Sequence, residues 1–134
     1  MKKYLFINTV NKNIPTFAIF TEDCKILGKS IFYNKLEKLV FGLEAFLKKQ
    51  KTISKDVRGV IVITGPGSFT SLRAGVALAN SFNMLFKIPV LGIKDIYSKL
   101  DNAILDNFKK ILNIKEDIKA SVYYNKEPNI TLKI

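Results

Sequence analysis

The fold of this chain is decided by one stretch near its middle, Val60-Ile61-Val62-Ile63-Thr64-Gly65-Pro66-Gly67-Ser68-Phe69-Thr70-Ser71-Leu72-Arg73-Ala74-Gly75-Val76. Its first part is a run of β-branched apolar residues, which predicts a strand buried on both faces. The run breaks at Gly65-Pro66-Gly67, and the side chains of Ser68 and Thr70 are suited to capping a helix N-terminus. A strand, a tight glycine turn and a helix predict a crossover unit at the core of the fold.

Shorter elements lie on both sides of this unit. Three apolar segments with short polar links come first and predict an antiparallel meander. The predicted strands cover 4–7, 16–20, 26–32, 59–63, 88–93, 118–124 and 130–134, and the predicted helices cover 35–49, 69–86 and 95–112. The order βββαβαβα with a C-terminal hairpin predicts an α/β fold.

Length and composition favour a single domain over residues 1–134. No stretch approaches the roughly 18 consecutive apolar residues of a membrane span, and the first apolar run is too short for a signal peptide, so we expect a cytoplasmic protein without membrane contact. The chain has no histidine and one cysteine, Cys24. This excludes Ser-His-Asp and Cys-His catalysis, histidine-ligated zinc and an intramolecular disulfide.

The formal net charge of +11 comes almost entirely from lysine. One interpretation is affinity for nucleic acid or another polyanion. The other is compositional drift, because Lys, Asn and Ile are all frequent and the lysines are scattered along the chain. Arginine, which binds phosphate with two N–H groups, occurs only at Arg58 and Arg73.

The glycine turn is a candidate anion site, because the free N–H groups and the dipole of a helix N-terminus favour a phosphate. However, no lysine stands where the P-loop lysine must reach the phosphates. The alternative is a tight turn that needs unusual dihedral angles. No paired carboxylates for hydrolysis are evident, so we predict no catalytic residue, metal site or cofactor.

The first helix has a predicted inner face and a predicted outer face. The residues at helical spacing that we expect to pack on the sheet are Leu36, Leu39, Val40, Leu43 and Leu47. Phe41 and Ala45 lie on nearly the opposite face, with Lys38 nearby. A large aromatic residue on the solvent side is a candidate contact residue.

The second helix is apolar around more than half of its circumference, and Leu78 is one of these residues. This pattern predicts burial on two sides, one against the sheet and the other against a partner. Ser71, Gly75 and Ala79 are small and four residues apart, so another backbone can approach along that line. Arg73 lies on the polar strip of the helix and is suited either to an acidic partner or to solvent.

The central stretch resembles the signature of the TsaB (YeaZ) family. The matching residues are Gly65-Pro66-Gly67-Ser68-Phe69-Thr70-x-Leu72-Arg73-x-Gly75-Val76, followed by Ile88-Pro89-Val90-x-Gly92. The segment Gly65 to Thr70 is called the signature turn below. The resemblance extends over residues 4–124 and implies a ribonuclease H-like (actin-like ATPase) domain with a mixed five-stranded sheet.

The resemblance also implies a function in N6-threonylcarbamoyladenosine synthesis at adenosine 37 of tRNA. Family members are non-catalytic scaffolds for the catalytic subunit TsaD. The ATPase TsaE also binds, and tRNA is engaged through the complex. The first helix and the helix after the signature form a bundle with TsaD or with a second copy, as a homodimer. Carried onto this chain, the partner-binding residues are Lys38, Phe41, Ala45, Ser71, Arg73, Gly75, Leu78 and Ala79.

Two features depart from the family pattern. The first strand ends in Asn8 where the family has an acidic residue, which argues against ATP hydrolysis. Residues 117–134 match only a remnant of the family's second domain, so we expect a shortened form without a nucleotide. We therefore interpret the signature turn as a rigid support for the second helix. The competing hypotheses are an enzyme, either a peptidase or an ATPase, and a degenerate self-associating domain or basic tRNA-binding module.

Overall fold

The computed structural model describes residues 2–11, 14–32, 36–67 and 69–113, which build a sheet with helices on both faces. Strands β1 to β5 cover Lys3–Asn8, Thr16–Thr21, Ile26–Ile31, Val57–Gly65 and Val90–Lys94. Helices α1 to α3 cover Leu39–Lys49, Phe69–Phe86 and Leu100–Asn113. Short 3-10 turns precede α1 and β4, at Leu36–Lys38 and Ser54–Asp56.

The strands lie in the order β3-β2-β1-β4-β5. Strand β2 is antiparallel to both β1 and β3, whereas β4 is parallel to β1 and β5. The predicted mixed five-stranded α/β sheet is therefore confirmed. Strands β1, β4 and β5 run in the same direction. Their last residues, Asn8, Gly65 and Lys94, therefore lie at the same end of the sheet.

Both faces of the sheet are buried along β1 and β4, as the continuous apolar runs in these strands predict. Leu5 and Ile7 of β1 point into the core under α1 and α2. Tyr4 and Phe6 point to the other face, under α3. There the Tyr4 ring meets the Phe108 ring of α3 edge-to-face, with the ring centroids 5.0 Å apart. Side chains that alternate between the two faces of β1 thus contribute to the cores under the helices on both sides of the sheet.

Among the described side chains, the inner face of α1 differs from the predicted one at Val40. Leu36 lies in the 3-10 turn before α1, and its side chain is outside the described part of the structure. Val40 was expected on the sheet, but 52% of it is exposed, and Phe46 is buried instead. The Phe46 ring stacks on Phe17 of β2 with the centroids 6.0 Å apart. This aromatic contact rotates α1 so that its buried residues are Leu39, Leu43, Phe46 and Leu47. Val40 is turned out of the core as a result.

Helix α3 begins five residues later than predicted. The Asp95 N–H donates to the Gly65 carbonyl oxygen at 2.8 Å, and the Ile96 N–H donates to the Lys94 carbonyl oxygen at 2.9 Å. These bonds hold the chain against the end of the sheet, so the first helical residue is Leu100. The predicted strands 118–124 and 130–134, and the domain remnant 117–134, lie outside the described residues.

Candidate interaction site

The outer face of α1 carries an exposed aromatic ring. Phe41 is 64% exposed, and Ala45 one turn later is exposed as well. The Lys38 ammonium lies 5.5 Å from the centroid of the Phe41 ring, a cation–π contact. The predicted outward orientation of these residues is therefore what the structure has, while their role in binding stays a prediction.

A shallow groove of about 930 Å³ runs between α1 and the end of β3. We call it the α1 groove and define it by six of its lining residues: Phe32, Lys38, Phe41, Ala45, Lys48 and Lys49. Gly42 forms part of its floor, because a Cβ at this position would lie 2.5 Å from the Phe32 ring. The groove thus combines an apolar floor with three lysines.

The small-residue line on α2 does not face a partner. Ser71 and Ala79 are fully buried, and Gly75 is buried between them. A Cβ on Gly75 would collide with the side chain of Thr9, in the segment after β1. In this structure the line offers no surface to another chain, because the Thr9 side chain fills the space beside Gly75 and Ala79 packs in the core.

Thr9 is a residue that the sequence reasoning missed. Its side chain is fully buried, and its hydroxyl donates to the Ser71 carbonyl oxygen at 2.6 Å. This bond ties the end of β1 to the first turn of α2. Nothing in the local pattern marks Thr9, because the contact joins residues 62 positions apart. The spacing of Ser71, Gly75 and Ala79 was the available signal. It indicated that another segment packs closely against α2, but not which segment.

The remaining α2 residues divide between the core and the surface. Leu78 is partly buried and packs against the core cluster under α1 and α2. Arg73 is exposed near the start of the helix. Met84 and Leu85 are also exposed, at 62% and 72%, near the C-terminal end of α2. Among the described side chains of α2, the large apolar ones that are exposed lie near its C-terminus.

The signature turn is held between the sheet and α2. Gly65 has a φ of 124°, which a residue with a side chain rarely adopts, and the Gly65–Pro66 peptide is cis. The preceding Thr64 hydroxyl donates to the Ile93 carbonyl oxygen at 3.1 Å. Gly67 is exposed next to Val10, Phe69 begins α2, and Thr70 is exposed. Ser68 lies outside the described residues.

A smaller cleft of about 390 Å³ lies where β1 ends, on the α3 side of the sheet. Asn8 and Asp95 line it, and Lys29 and Lys99 also border it. The Asn8 side-chain oxygen accepts a hydrogen bond from the Val10 N–H at 3.0 Å, so it caps the turn after β1. Within the described ranges, no three His, Cys, Asp or Glu residues are grouped to hold a metal ion.

Cys24 has the environment of an unreactive thiol. Burial raises the pKa of its thiol above the ordinary value, and the negative charge of Asp23 raises it further. At neutral pH the group is therefore protonated, and a thiol without its thiolate form is a poor nucleophile. None of the described helices is both long and apolar enough to cross a membrane.

Comparison with known proteins gives relatives for more than half of this chain. The model of the family described as TsaD, tRNA N6-adenosine threonylcarbamoyltransferase, matches residues 34–113. A tRNA N6-adenosine threonylcarbamoyltransferase of Tropheryma whipplei is 34% identical over 73 residues, which are 54% of this chain and 18% of that protein. An uncharacterized protein of Mycobacterium tuberculosis is 30% identical over 92 residues, which are 66% of this chain and 44% of that protein. This chain thus aligns with less than half the length of either relative.

The fold is similar to that of YeaZ from Pseudomonas aeruginosa. The two structures superpose with a TM-score of 0.64 at 18% sequence identity, over 81% of this chain and 50% of the YeaZ chain. This similarity bears out the ribonuclease H-like fold expected from the signature. The family match covers the signature turn together with the helices before and after it. The chain therefore belongs to the TsaD family and is TsaB (YeaZ)-like in fold.

Proposed function

We propose that this chain is a non-catalytic scaffold subunit that supports a TsaD-like partner in the threonylcarbamoylation of adenosine 37 of tRNA. Membership of the TsaD family supports the reaction, and the YeaZ-like fold supports the scaffold role. A TsaE-like ATPase joins the same complex, and tRNA is engaged through the complex. In isolation the chain forms a homodimer.

The observation that carries the scaffold role is the exposed outer face of α1. An exposed Phe gains free energy when a partner removes its ring from water, and aromatic residues are enriched at the centres of protein interfaces. Phe41 stands beside the small Ala45, so a partner helix can lie close to α1 there. We therefore assign Phe41 and Ala45 to the contact with the TsaD-like partner, with Lys38 at its border.

Three features support a chain without its own chemistry. The sequence has no histidine, which removes the commonest general base. Strand β1 ends in Asn8, whose side-chain oxygen caps a local turn, so it supplies no carboxylate for a metal–phosphate group. The Cys24 thiol is protonated at neutral pH, because its pKa is raised. The catalytic groups are accordingly those of the partner.

Reconstitution tests this function. Threonylcarbamoylation of tRNA by a TsaD subunit and a TsaE subunit is measured with and without this chain, and we expect at least tenfold stimulation. Phe41→Asp should remove most of it, because a charge then replaces the apolar contact. Leu105→Asp is the matched control: Leu105 is 60% exposed on α3, across the sheet from α1. Absence of stimulation by the unmodified chain, or full stimulation by Phe41→Asp, would contradict the proposal.

The net charge of +11 favours a second candidate, a basic module that binds tRNA directly. In that case tRNA binds without the TsaD-like partner, and the logarithm of its affinity falls steeply with the logarithm of salt concentration. Electrophoretic mobility shifts at several salt concentrations distinguish the candidates. Tight, salt-sensitive binding by the isolated chain, together with no stimulation of the partner, would select the tRNA-binding module.

A further inference from the structure

The charges that line the α1 groove all have the same sign. Lys38, Lys48 and Lys49 border it, and among the described residues no carboxylate lines it. Within residues 2–11, 14–32, 36–67 and 69–113, no ion pair joins any of these three lysines to an acidic side chain. Glu44 of the same helix does not line the groove, although it stands one turn before Lys48, about 40° from it around the axis at 100° per residue. The charged side chains that the structure places around the groove are therefore all basic.

The floor of the groove is apolar and has room for side chains. Phe41 stands out from α1 on one side, and Phe32 lies against Gly42 on the other. Between them the helix carries only the hydrogen of Gly42 and the methyl group of Ala45, so no large side chain of α1 fills that part of the groove. Aliphatic side chains of a neighbouring helix fit a depression of this kind.

The lysines stand at the two ends of this floor. Lys38 precedes α1 and Lys48 lies in its last turn, so the two are about 15 Å apart along the axis, at 1.5 Å per residue. A ligand helix lying along the floor spans about three turns between them. It meets both lysine sites when its acidic residues flank a central apolar stretch.

A nucleic acid matches the groove less well. Single-stranded nucleic acids stack their bases on exposed aromatic rings, often with help from arginine. The Lys38 ammonium already lies over the exposed Phe41 ring, and no arginine lines the groove. A base would have to displace Lys38 from that face, whereas an acidic side chain pairs with Lys38 where it stands.

We infer that the α1 groove binds an acidic amphipathic helix of the TsaD-like partner, whose carboxylates pair with Lys38 at one end and with Lys48 and Lys49 at the other. This inference rests on the proposed function, because it names the chemistry of the partner surface that meets α1. The apolar stretch of that helix lies on Gly42 and Ala45, beside the Phe41 ring.

Charge reversal in a matched pair of variants tests the inference. The dissociation constant of the complex between the full chain and the TsaD subunit is measured at several salt concentrations. Lys48→Glu/Lys49→Glu should weaken the complex at least tenfold and flatten its salt dependence. The control is Lys109→Glu/Lys110→Glu, two adjacent exposed lysines near the end of α3, which makes the same charge change at a helix C-terminus. The control should bind within twofold of the unmodified chain.

Zero-length carbodiimide crosslinking supplies an independent readout. It joins a lysine to a carboxylate in direct contact, so mass spectrometry should find Lys48 or Lys49 linked to Asp or Glu in one helix of the TsaD subunit. Crosslinks to the chain's own second copy, or none in an intact complex, would overturn the inference. So would a loss of tRNA binding, but not of subunit binding, in Lys48→Glu/Lys49→Glu.

The failure of the inference can be separated from that of the proposed function. If Phe41→Asp abolishes the complex while Lys48→Glu/Lys49→Glu binds like its control, the scaffold role stands and the acidic partner helix is wrong. If the unmodified chain does not bind the TsaD subunit at all, the proposed function itself is wrong. Weakening by both variants, with the control unaffected, supports both.

Discussion

Helices α1 and α2 were both predicted to offer a surface to a partner, and the structure treats them in opposite ways. The residues singled out on α1, Phe41 and Ala45, are exposed. The line of small residues on α2 is closed by Thr9 of the same chain. A line of small residues on a helix indicates that another segment packs closely there, and that segment can belong to the same chain. A large apolar residue opposite the packed face indicates a surface that the chain itself leaves exposed.

The largest expected effect contrasts two phenylalanines of α1. Phe46 is buried against Phe17, so Phe46→Ala removes a packed ring and should lower the free energy of unfolding by about 3–5 kcal/mol. Phe41→Ala should change it by less than about 0.5 kcal/mol, because the ring is mostly in water. Urea unfolding followed by circular dichroism measures both. A large loss from Phe41→Ala would mean that this ring packs within the chain.

A smaller effect is expected from enlarging α2 on its two sides. Gly75→Val should cost about 1–3 kcal/mol of unfolding free energy, because its side chain must displace Thr9. Ala77→Val is the matched control: Ala77 is exposed, so only the helix propensity changes, by less than about 0.7 kcal/mol. Thermal unfolding of the two variants compares them. Equal melting temperatures would show that Gly75 is not closed in by Thr9.

The smallest expected effect is the coupling between Thr9 and Gly75. Gly75→Ala alone forces its new methyl group against the Thr9 side chain. Thr9→Ala removes the atoms in the way, at the cost of the buried hydrogen bond to the Ser71 carbonyl oxygen. The sum of the unfolding free energies lost in the two single variants should exceed the loss measured for the double variant by about 1 kcal/mol. A double-mutant cycle from urea unfolding measures this difference, and strict additivity would argue against the contact.

The elements that sequence predicts best are those whose signal is local. Helix α2 begins at Phe69 and ends at Phe86 as predicted, because the glycine turn limits one end and a polar break with Pro89 limits the other. The five strands in the described residues end within two residues of the predicted bounds, because β-branched and aromatic runs between polar turns define them.

The features that sequence missed depend on contacts between distant residues. Val40 and Phe46 both fit an apolar stripe on α1, and the stacking of Phe46 on Phe17 of β2 decides between them. Asp95 suits a helix start, but its N–H bonds to Gly65 at the end of β4, so α3 begins at Leu100. In the candidate site, the helical spacing of apolar residues predicted the outward face of α1 and nothing more.

The parallel pairing of β1 with β4 joins two segments that lie far apart in the chain. Strands β1 to β3 can form a meander from local contacts, but the other edge of β1 has to wait for Val57–Gly65, far along the chain. Closing so long a loop is entropically costly, and such non-local pairs slow folding. Until then the meander exposes an unpaired edge and apolar side chains on both faces. A chain in which only β1 to β3 have paired is thus more exposed to aggregation than the folded chain, and pairing with β4 covers these groups.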